Sequence, residues 1–223
     1  MGRKSLAARA QKTNCNTRSK ETMWVICADL EGVFVPEIWV NVAKKTGIEE
    51  LKLTTRDIKD YDELMRMRLR ILDQHGLKLQ DIQEVIGTLD PLPGALEFVR
   101  EIRKVARFSI VSDTFVEFAQ PLMDKLENPF LLCHSLETDA TGRITNYKLR
   151  QPDPKRKTVE AFKSLKYDVV AFGDSYNDVT MLEAADKGIL FCPPDNVKAD
   201  YPQYPVVTDI NDLKSRLIDI VSK

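Results

Sequence analysis

The stretch Trp24-Val-Ile-Cys-Ala-Asp-Leu-Glu-Gly-Val-Phe-Val35 decides the reading of this chain. An apolar run of strand character ends in two carboxylates, Asp29 and Glu31, and then in the turn-permitting Gly32. Alternate residues of a strand share a face, so the two acids fall on the same side of its end. Acids gathered at the tip of a buried strand call for a cation. Two later segments repeat the pattern: Phe108-Ser-Ile-Val-Ser-Asp-Thr ends in hydroxyls, and Val169-Val-Ala-Phe-Gly-Asp-Ser-Tyr-Asn-Asp ends in Gly173, Asp174 and Asp178. Three apolar strands with polar ends imply one shared site.

Working outward, the residues after this strand lose strand alternation until about position 105. Ile38, Val42 and Ala43 recur at helical spacing, then Tyr61, Leu64, Met65, Met67 and residues 69–72, then Leu79, Ile82, Val85 and Ile86. Gly47, Gly76 and Gly87 punctuate them, and Pro91 with Pro93-Gly94 closes the segment. The spacing predicts a small helical insert over 37–89. Beyond it, helices and strands alternate: helix 95–106, strand 108–111, helix 115–126, strand 131–133, and a hairpin over 135–149 turning near 139–142. Helix 155–166, strand 168–172, helix 177–186, strand 188–191 and helix 210–221 follow. Such alternation predicts an α/β fold, a three-layer Rossmann-like parallel-sheet core with a small helical cap inserted after the first strand. The core would comprise 23–36 and 90–223 and the cap 37–89. Ligands of such sheets lie beyond the carboxyl ends of the strands, where the three polar ends would converge.

The 223 residues suit one substantial domain or a core with an insert, and 43% hydrophobic with 30% charged residues are globular values. No apolar stretch approaches the roughly 18 residues of a membrane span. The formal charge of −1 is unevenly placed: Arg3, Lys4, Arg9, Lys12, Arg18 and Lys20 give +6 before the first acid, Glu21, leaving −7 on the remainder. An acidic body disfavours nucleic acid as partner. Cys15, Cys27, Cys133 and Cys192 form no CxxC pair, which suits reduced thiols in a cytoplasmic protein, and His75 and His134 alone are too few for a histidine-rich metal centre. Residues 1–22 are basic, rich in Ala, Ser and Thr, and lack the apolar core of a secretory signal. They read as an extension outside the fold: a disordered tail, a segment upstream of a natural start at Met23, or an organellar presequence. There is no GxGxxG and no GxxxxGK[ST], so neither a dinucleotide site nor a P-loop has support.

The chemistry that fits is phosphoryl transfer. A carboxylate can attack phosphorus and form an aspartyl phosphate, and Asp29, first after the strand, is the candidate nucleophile. An anion approaching a phosphate needs a hard divalent cation, best Mg2+, with Asp29 and Asp174 as side-chain ligands and the Glu31 carbonyl as a third. The Glu31 carboxyl can protonate the departing alkoxide and later deprotonate the incoming water or alcohol. Ser112 offers donors to the phosphoryl oxygens. Lys155 or Lys157 would balance the remaining charge, Lys155 being preferred, and Asp178 would share a helical face with Asp174.

The series Asp29-Leu-Glu-Gly-Val, Val111-Ser-Asp-Thr, Lys155 and Gly173-Asp-Ser-Tyr-Asn-Asp resembles the haloacid dehalogenase superfamily of phosphatases over nearly all of 23–200. The helical insert looks like the cap of its phosphoserine phosphatase branch. Four further stretches are similar to the bifunctional phosphoserine phosphatases that also act as phosphoserine:homoserine phosphotransferases. They are Asp29 through Trp39, Thr54-Thr-Arg-Asp-Ile-Lys-Asp-Tyr-Asp, Arg68-Leu-Arg-Ile-Leu and Asp153-Pro-Lys-Arg. The resemblance implies a Mg2+-dependent enzyme of serine and threonine biosynthesis, with Glu37 receiving the substrate ammonium, Arg68 its carboxylate and Asn177 on the substrate side. Arg70 is the alternative to Arg68. One anion and one planar cation around a zwitterion make physical sense of the first two roles.

Two departures stand out. The superfamily's general acid is commonly Asp, whereas Glu31 is longer by a methylene, and Asp113-Thr114 replaces the two glycines usual after Ser112 in the phosphoserine branch. Asp113 is expected to help Glu37 receive the amino group. The alternatives are a phosphatase of another small phosphomonoester and a phosphoaspartate signalling domain. The expected partners are small molecules, phosphoserine with homoserine or water, with neither nucleic acid nor membrane. Homodimer pairing through exposed cap surfaces stays open.

Overall fold

A computed structural model describes residues 23–54, 57, 58 and 60–222. The expected basic extension over 1–22 lies outside the described residues, as do Thr55, Arg56 and Lys59 of the stretch beginning at Thr54.

The chain starts with β1 (Trp24–Ala28), whose side chains alternate between two buried layers. Ile26 and Ala28 face one apolar cluster, Val25 and Cys27 the other, as a period of two requires for a strand covered on both sides. The insert follows: α1 (Ile38–Thr46), a 3-10 turn (Glu49–Lys52), α2 (Tyr61–Gln74) and α3 (Leu79–Gly87). The alternating part contains α4 (Ala95–Val105), β2 (Arg107–Phe115), α5 (Val116–Lys125), β3 (Leu131–Thr138) and β4 (Ile144–Lys148). It continues through α6 (Pro154–Ser164), β5 (Asp168–Gly173), a 3-10 turn (Tyr176–Asp178), α7 (Val179–Ala184) and β6 (Lys187–Phe191). Helix α8 (Asp195–Asp200), β7 (Val206–Val207) and α9 (Ile210–Val221) complete it.

The seven strands form one sheet in the order β4-β3-β2-β1-β5-β6-β7, parallel except for the β3–β4 hairpin. This is the α/β sheet the alternation predicts, with β1 at its centre: Ala28 lies opposite Ile110 on β2 and Phe172 on β5. Buried residues of α4, α5 and α9 join the cluster on one face, and those of α6, α7 and α8 the cluster on the other. Phe34, Phe98, Phe108 and Phe172 pack edge-on or tilted at 5.4 to 6.4 Å between ring centroids, holding the loop after β1 onto the sheet. The insert shares that cluster through Val42, Leu51, Met65 and Ile82. Its outer edge is clasped by the hairpin, where Arg143 grips Asp73 with two bonds and the Leu79 N–H donates to the Gly142 carbonyl at 3.0 Å.

Three details differ from the periodicity. β2 continues through the polar residues to Phe115, so Ser112 lies within the strand and not just past its end. Pairing with β3 carries the strand past its apolar run, with a register shift between Val111 and Phe115. The helix expected over 177–186 is split into the 3-10 turn and α7 because the Asp178 side chain accepts from the backbone N–H groups of Asp174 and Ser175. Helix α8 and the two-residue β7 carry too short a pattern to register in a periodicity reading.

Candidate active site

β1 delivers Asp29 to the carboxyl edge of the sheet. The Asp29 N–H continues the ladder to the Phe172 carbonyl at 3.1 Å, and the residue is 4% exposed. Beyond it the chain curls tightly: the N–H groups of Phe34 and Val35 both donate to the Leu30 carbonyl, and the Gly32 N–H to Val35. Gly32 has φ +77, and a Cβ there would lie 2.7 Å from Asp174 Oδ2, so glycine is required twice over. The curl aims α1 back at its own origin. Glu31 Oε2 accepts the Ile38 N–H at 2.8 Å, serving the helix N-terminus that Glu37 leaves uncapped by its side chain. Burial pushes the Glu31 carboxyl up to about 7; the Ile38 N–H opposes this, Glu37 adds to it, and Arg68 offsets part. A carboxyl that titrates near neutrality can both give and take a proton.

Opposite Asp29 stands Lys155 in the first turn of α6, 2% exposed. Its ammonium donates to Asp29 Oδ1 at 2.8 Å and Asp178 Oδ1 at 2.6 Å, and lies 3.5 Å from Asp113 Oδ2. Burial would drive its proton off, but Asp178, Asp29 and Asp113 outweigh that and hold it well above the ordinary lysine range. Lys157 is exposed on the same helix and pairs with Glu160, so of the two lysines it is Lys155 that meets Asp29.

Asp178 is fully buried and saturated. Its Oδ2 accepts the Asp174 and Ser175 N–H groups at 3.0 Å each and the Ser175 hydroxyl at 3.2 Å. A Cβ on Gly173 would sit 2.3 Å from its Cγ. Carboxylate oxygens of Asp29, Asp174 and Asp178 lie within 4.8 Å of one another. Burial first and the Asp178 charge second raise Asp29 well above its usual range and Asp174 to about 7. One ammonium does not balance this cluster. With Asp178 occupied by protein donors, the oxygens left to a ligand belong to Asp29 and Asp174, an all-oxygen set of the kind hard divalent cations prefer.

Asp113 adds a further carboxylate on the β2 side. Oδ2 accepts from Asn177 Nδ2 at 2.9 Å, and Oδ1 lies 3.8 Å from Nε2 of the buried His134. Burial alone would raise it, but Lys155, His134 and Asn177 together hold it well below the usual carboxylate range. The oxygens expected to receive an ammonium therefore already face protein donors. Ser112, 3% exposed, lies two residues beyond the Ile110 that pairs with Ala28, and its Oγ accepts the Thr114 N–H at 3.2 Å.

The insert brings Glu37 and Arg68 toward this edge. Glu37 is exposed and its charge acts on both Glu31 and Asp174. Arg68 is buried, with burial lowering its guanidinium to about 10 against the opposing pull of Tyr61, Glu31 and Glu37. Arg70, two residues on, falls on the exposed side of α2. Three residues around the site drew no functional reading from the sequence. Trp39 lies under Arg68, the Tyr61 hydroxyl faces the Asp113 carbonyl at 3.5 Å, and His134 stands behind Asp113. Tyr61 sits in the apolar pattern as packing and Trp39 and His134 fall outside it, so only the scarcity of histidine could have singled one out. Two surface hollows lie away from these residues, one of 630 Å³ beside the turn at 91–94 and one of 580 Å³ between β6 and α9.

Against known proteins, a family model described as a haloacid dehalogenase-like hydrolase matches residues 34–186. A phosphoserine phosphatase of Pseudomonas syringae pv. tomato is 61% identical over 194 residues, 87% of this chain and 82% of that protein. The phosphoserine phosphatase ThrH of Pseudomonas aeruginosa is 59% identical over 201 residues, 90% and 98% of the respective chains. Among solved structures, a phospho-aspartyl intermediate analogue of a phosphoserine phosphatase superposes with a TM-score of 0.68 at 19% identity, covering 88% of this chain and 99% of that one.

Proposed function

Because the chain belongs to the haloacid dehalogenase-like hydrolases, we propose that it is a Mg2+-dependent phosphoserine phosphatase that also passes the phosphoryl group to homoserine, through an aspartyl phosphate at Asp29. The observation that carries this reading is the pairing of a buried carboxylate, anchored by Lys155, with a second carboxyl two residues on that titrates near 7. Both relatives cited above carry the name phosphoserine phosphatase.

Asp29 and Asp174 would hold the metal with the Glu31 carbonyl, and the unbalanced negative charge of the cluster supports a divalent ion there. When bound, Mg2+ would supply neutralising charge to the phosphoryl oxygens. Lys155 fixes the Asp29 oxygen and adds a positive charge beside the phosphoryl group, with Ser112 as a donor on the β2 side. Glu31 gives its proton to the serine oxygen as the phosphorus–oxygen bond breaks, then takes one from water or the homoserine hydroxyl as that oxygen attacks phospho-Asp29. Helices α1–α3 act as the cap over a core of 23–36 and 90–223, with Glu37 for the ammonium and Arg68 for the carboxylate. Asn177, held by Asp113, lies on the substrate side.

The test is a side-by-side assay of inorganic phosphate and phosphohomoserine from phosphoserine, with and without Mg2+ and homoserine. Release of both products only with Mg2+ supports the reading. Turnover of other phosphomonoesters but not phosphoserine would leave a phosphatase of different substrate, and a long-lived phosphoprotein would turn the reading to signalling. In the same assay Asp29→Asn is expected to lose about a thousandfold in kcat or more, as removal of a covalent nucleophile does. Light scattering of the purified chain tests the homodimer. Among the described residues no helix is long and apolar enough to cross a membrane.

A further inference from the structure

The guanidinium of Arg68 is held on several sides at once. The residue is 6% exposed, its Cζ stands 4.5 Å from the centroid of the Trp39 ring, and Nη2 donates to the Leu53 carbonyl at 2.7 Å. Nη1 faces the Met65 sulfur at 3.8 Å, a weak acceptor, and the buried Nε has no partner among the described residues. A buried, unpaired guanidinium donor is unfavourable unless an acceptor arrives. Trp39 is itself fixed, packed edge-on against Phe118 of α5 with centroids 5.3 Å apart. The Trp39 ring lies over the guanidinium carbon, and the Leu53 carbonyl takes one corner. What remains is the in-plane edge, the direction in which all its N–H groups point and the geometry a planar carboxylate matches.

We propose that Trp39 is the positioning residue for carboxylate recognition: its ring face, with the Leu53 carbonyl, sets the plane of Arg68 so that the free edge of the guanidinium receives the carboxylate of an amino-acid phosphate. This rests on phosphoserine being the substrate and assigns the selectivity for it to a residue that does not touch the reacting atoms. A flat aromatic support does what a polar partner would not, because it immobilises the cation without consuming a donor.

The experiment compares phosphoserine with phosphoethanolamine, the same phosphomonoester and ammonium without the carboxylate. In the intact Mg2+-loaded enzyme, Trp39→Leu is expected to lower the ratio of the two kcat/KM values about tenfold, through the KM for phosphoserine. Trp39→Phe, which keeps a ring face, should restore most of the ratio. If Trp39 were merely part of the packing, both substrates would suffer alike and the ratio would stay put, which overturns the proposal. Should the leucine variant fail to fold, Trp39→Met takes its place: it too removes the ring face, so a ratio lowered about tenfold supports the proposal and an unchanged one sinks it. Wild-type enzyme that turns over phosphoethanolamine but not phosphoserine would defeat the functional reading and this inference together. Wild-type preference for phosphoserine with an immobile ratio in the variants would defeat this inference only.

Discussion

Glu31 is the residue on which the proposed chemistry turns, and its extra methylene has a structural correlate. The side chain reaches the first N–H of α1, seven residues on, while burial holds the carboxyl near 7. The sign of the resulting pH dependence follows from its two tasks. Forming phospho-Asp29 requires the protonated acid, so that step should slow as pH rises above about 7; hydrolysing it requires the carboxylate, so that step should slow as pH falls below about 7. Rapid-quench measurement of phosphoenzyme formation and decay separates the two arms, and Glu31→Gln should flatten both. Glu31 and Asp29 stood out in the sequence because two other apolar strands also end in polar residues; an acid pair before a glycine is by itself a common turn. The value near 7 was not legible there, since it arises from burial under residues remote in the chain.

At the level of elements, the site is a meeting of strand ends with the first turn of α6 and the curl after β1. The curl depends on Gly32: alanine at φ +77 would be strained and would drive a methyl into the Asp174 carboxylate. Gly32→Ala is expected to lose about 1 to 2 kcal/mol of stability, read by urea unfolding, and to weaken Mg2+ binding, read by calorimetry. Helix α6 contributes through Lys155, which ties β1 to the turn before α7. Lys155→Met would leave Asp29 and Asp178 facing each other without their shared cation, a loss of about 3 kcal/mol by the same unfolding measurement. The lysine pair at 155 and 157 could not be resolved from spacing with certainty, because a helix start accepts either register. The packing of α6 on β2 and β5 chooses the buried one.

For the molecule as a whole, the dominant feature of the site is its excess of negative charge, four carboxylates around a single buried ammonium. Anything that binds this arrangement and not the unfolded chain raises stability. Mg2+ at saturating concentration is therefore expected to raise the Tm of the wild-type chain by several degrees in scanning calorimetry, by about 1 kcal/mol or more, and to have little effect on Asp174→Asn. A rise of equal size in that variant would place the metal elsewhere. The insert enters at this scale as well, since its apolar residues belong to the same cluster as α4 and α5 and its edge is gripped by the β3–β4 hairpin.

The amino-acid sequence by itself determined the parallel sheet and which carboxylates and lysine stand near its strand ends, because these depend on local periodicity and on residue types placed where strands end; that the first strand is the central one came from the fold. Tertiary structure alone decided what those groups do to one another. Asp113 became a bracket for Asn177 and Lys155, Asp178 gave one oxygen to its own loop and the other to Lys155, and Trp39 came to lie beneath Arg68. Periodicity reports which face of an element is buried. It does not report which partner waits there, and for charged groups out of water the partner determines the energy.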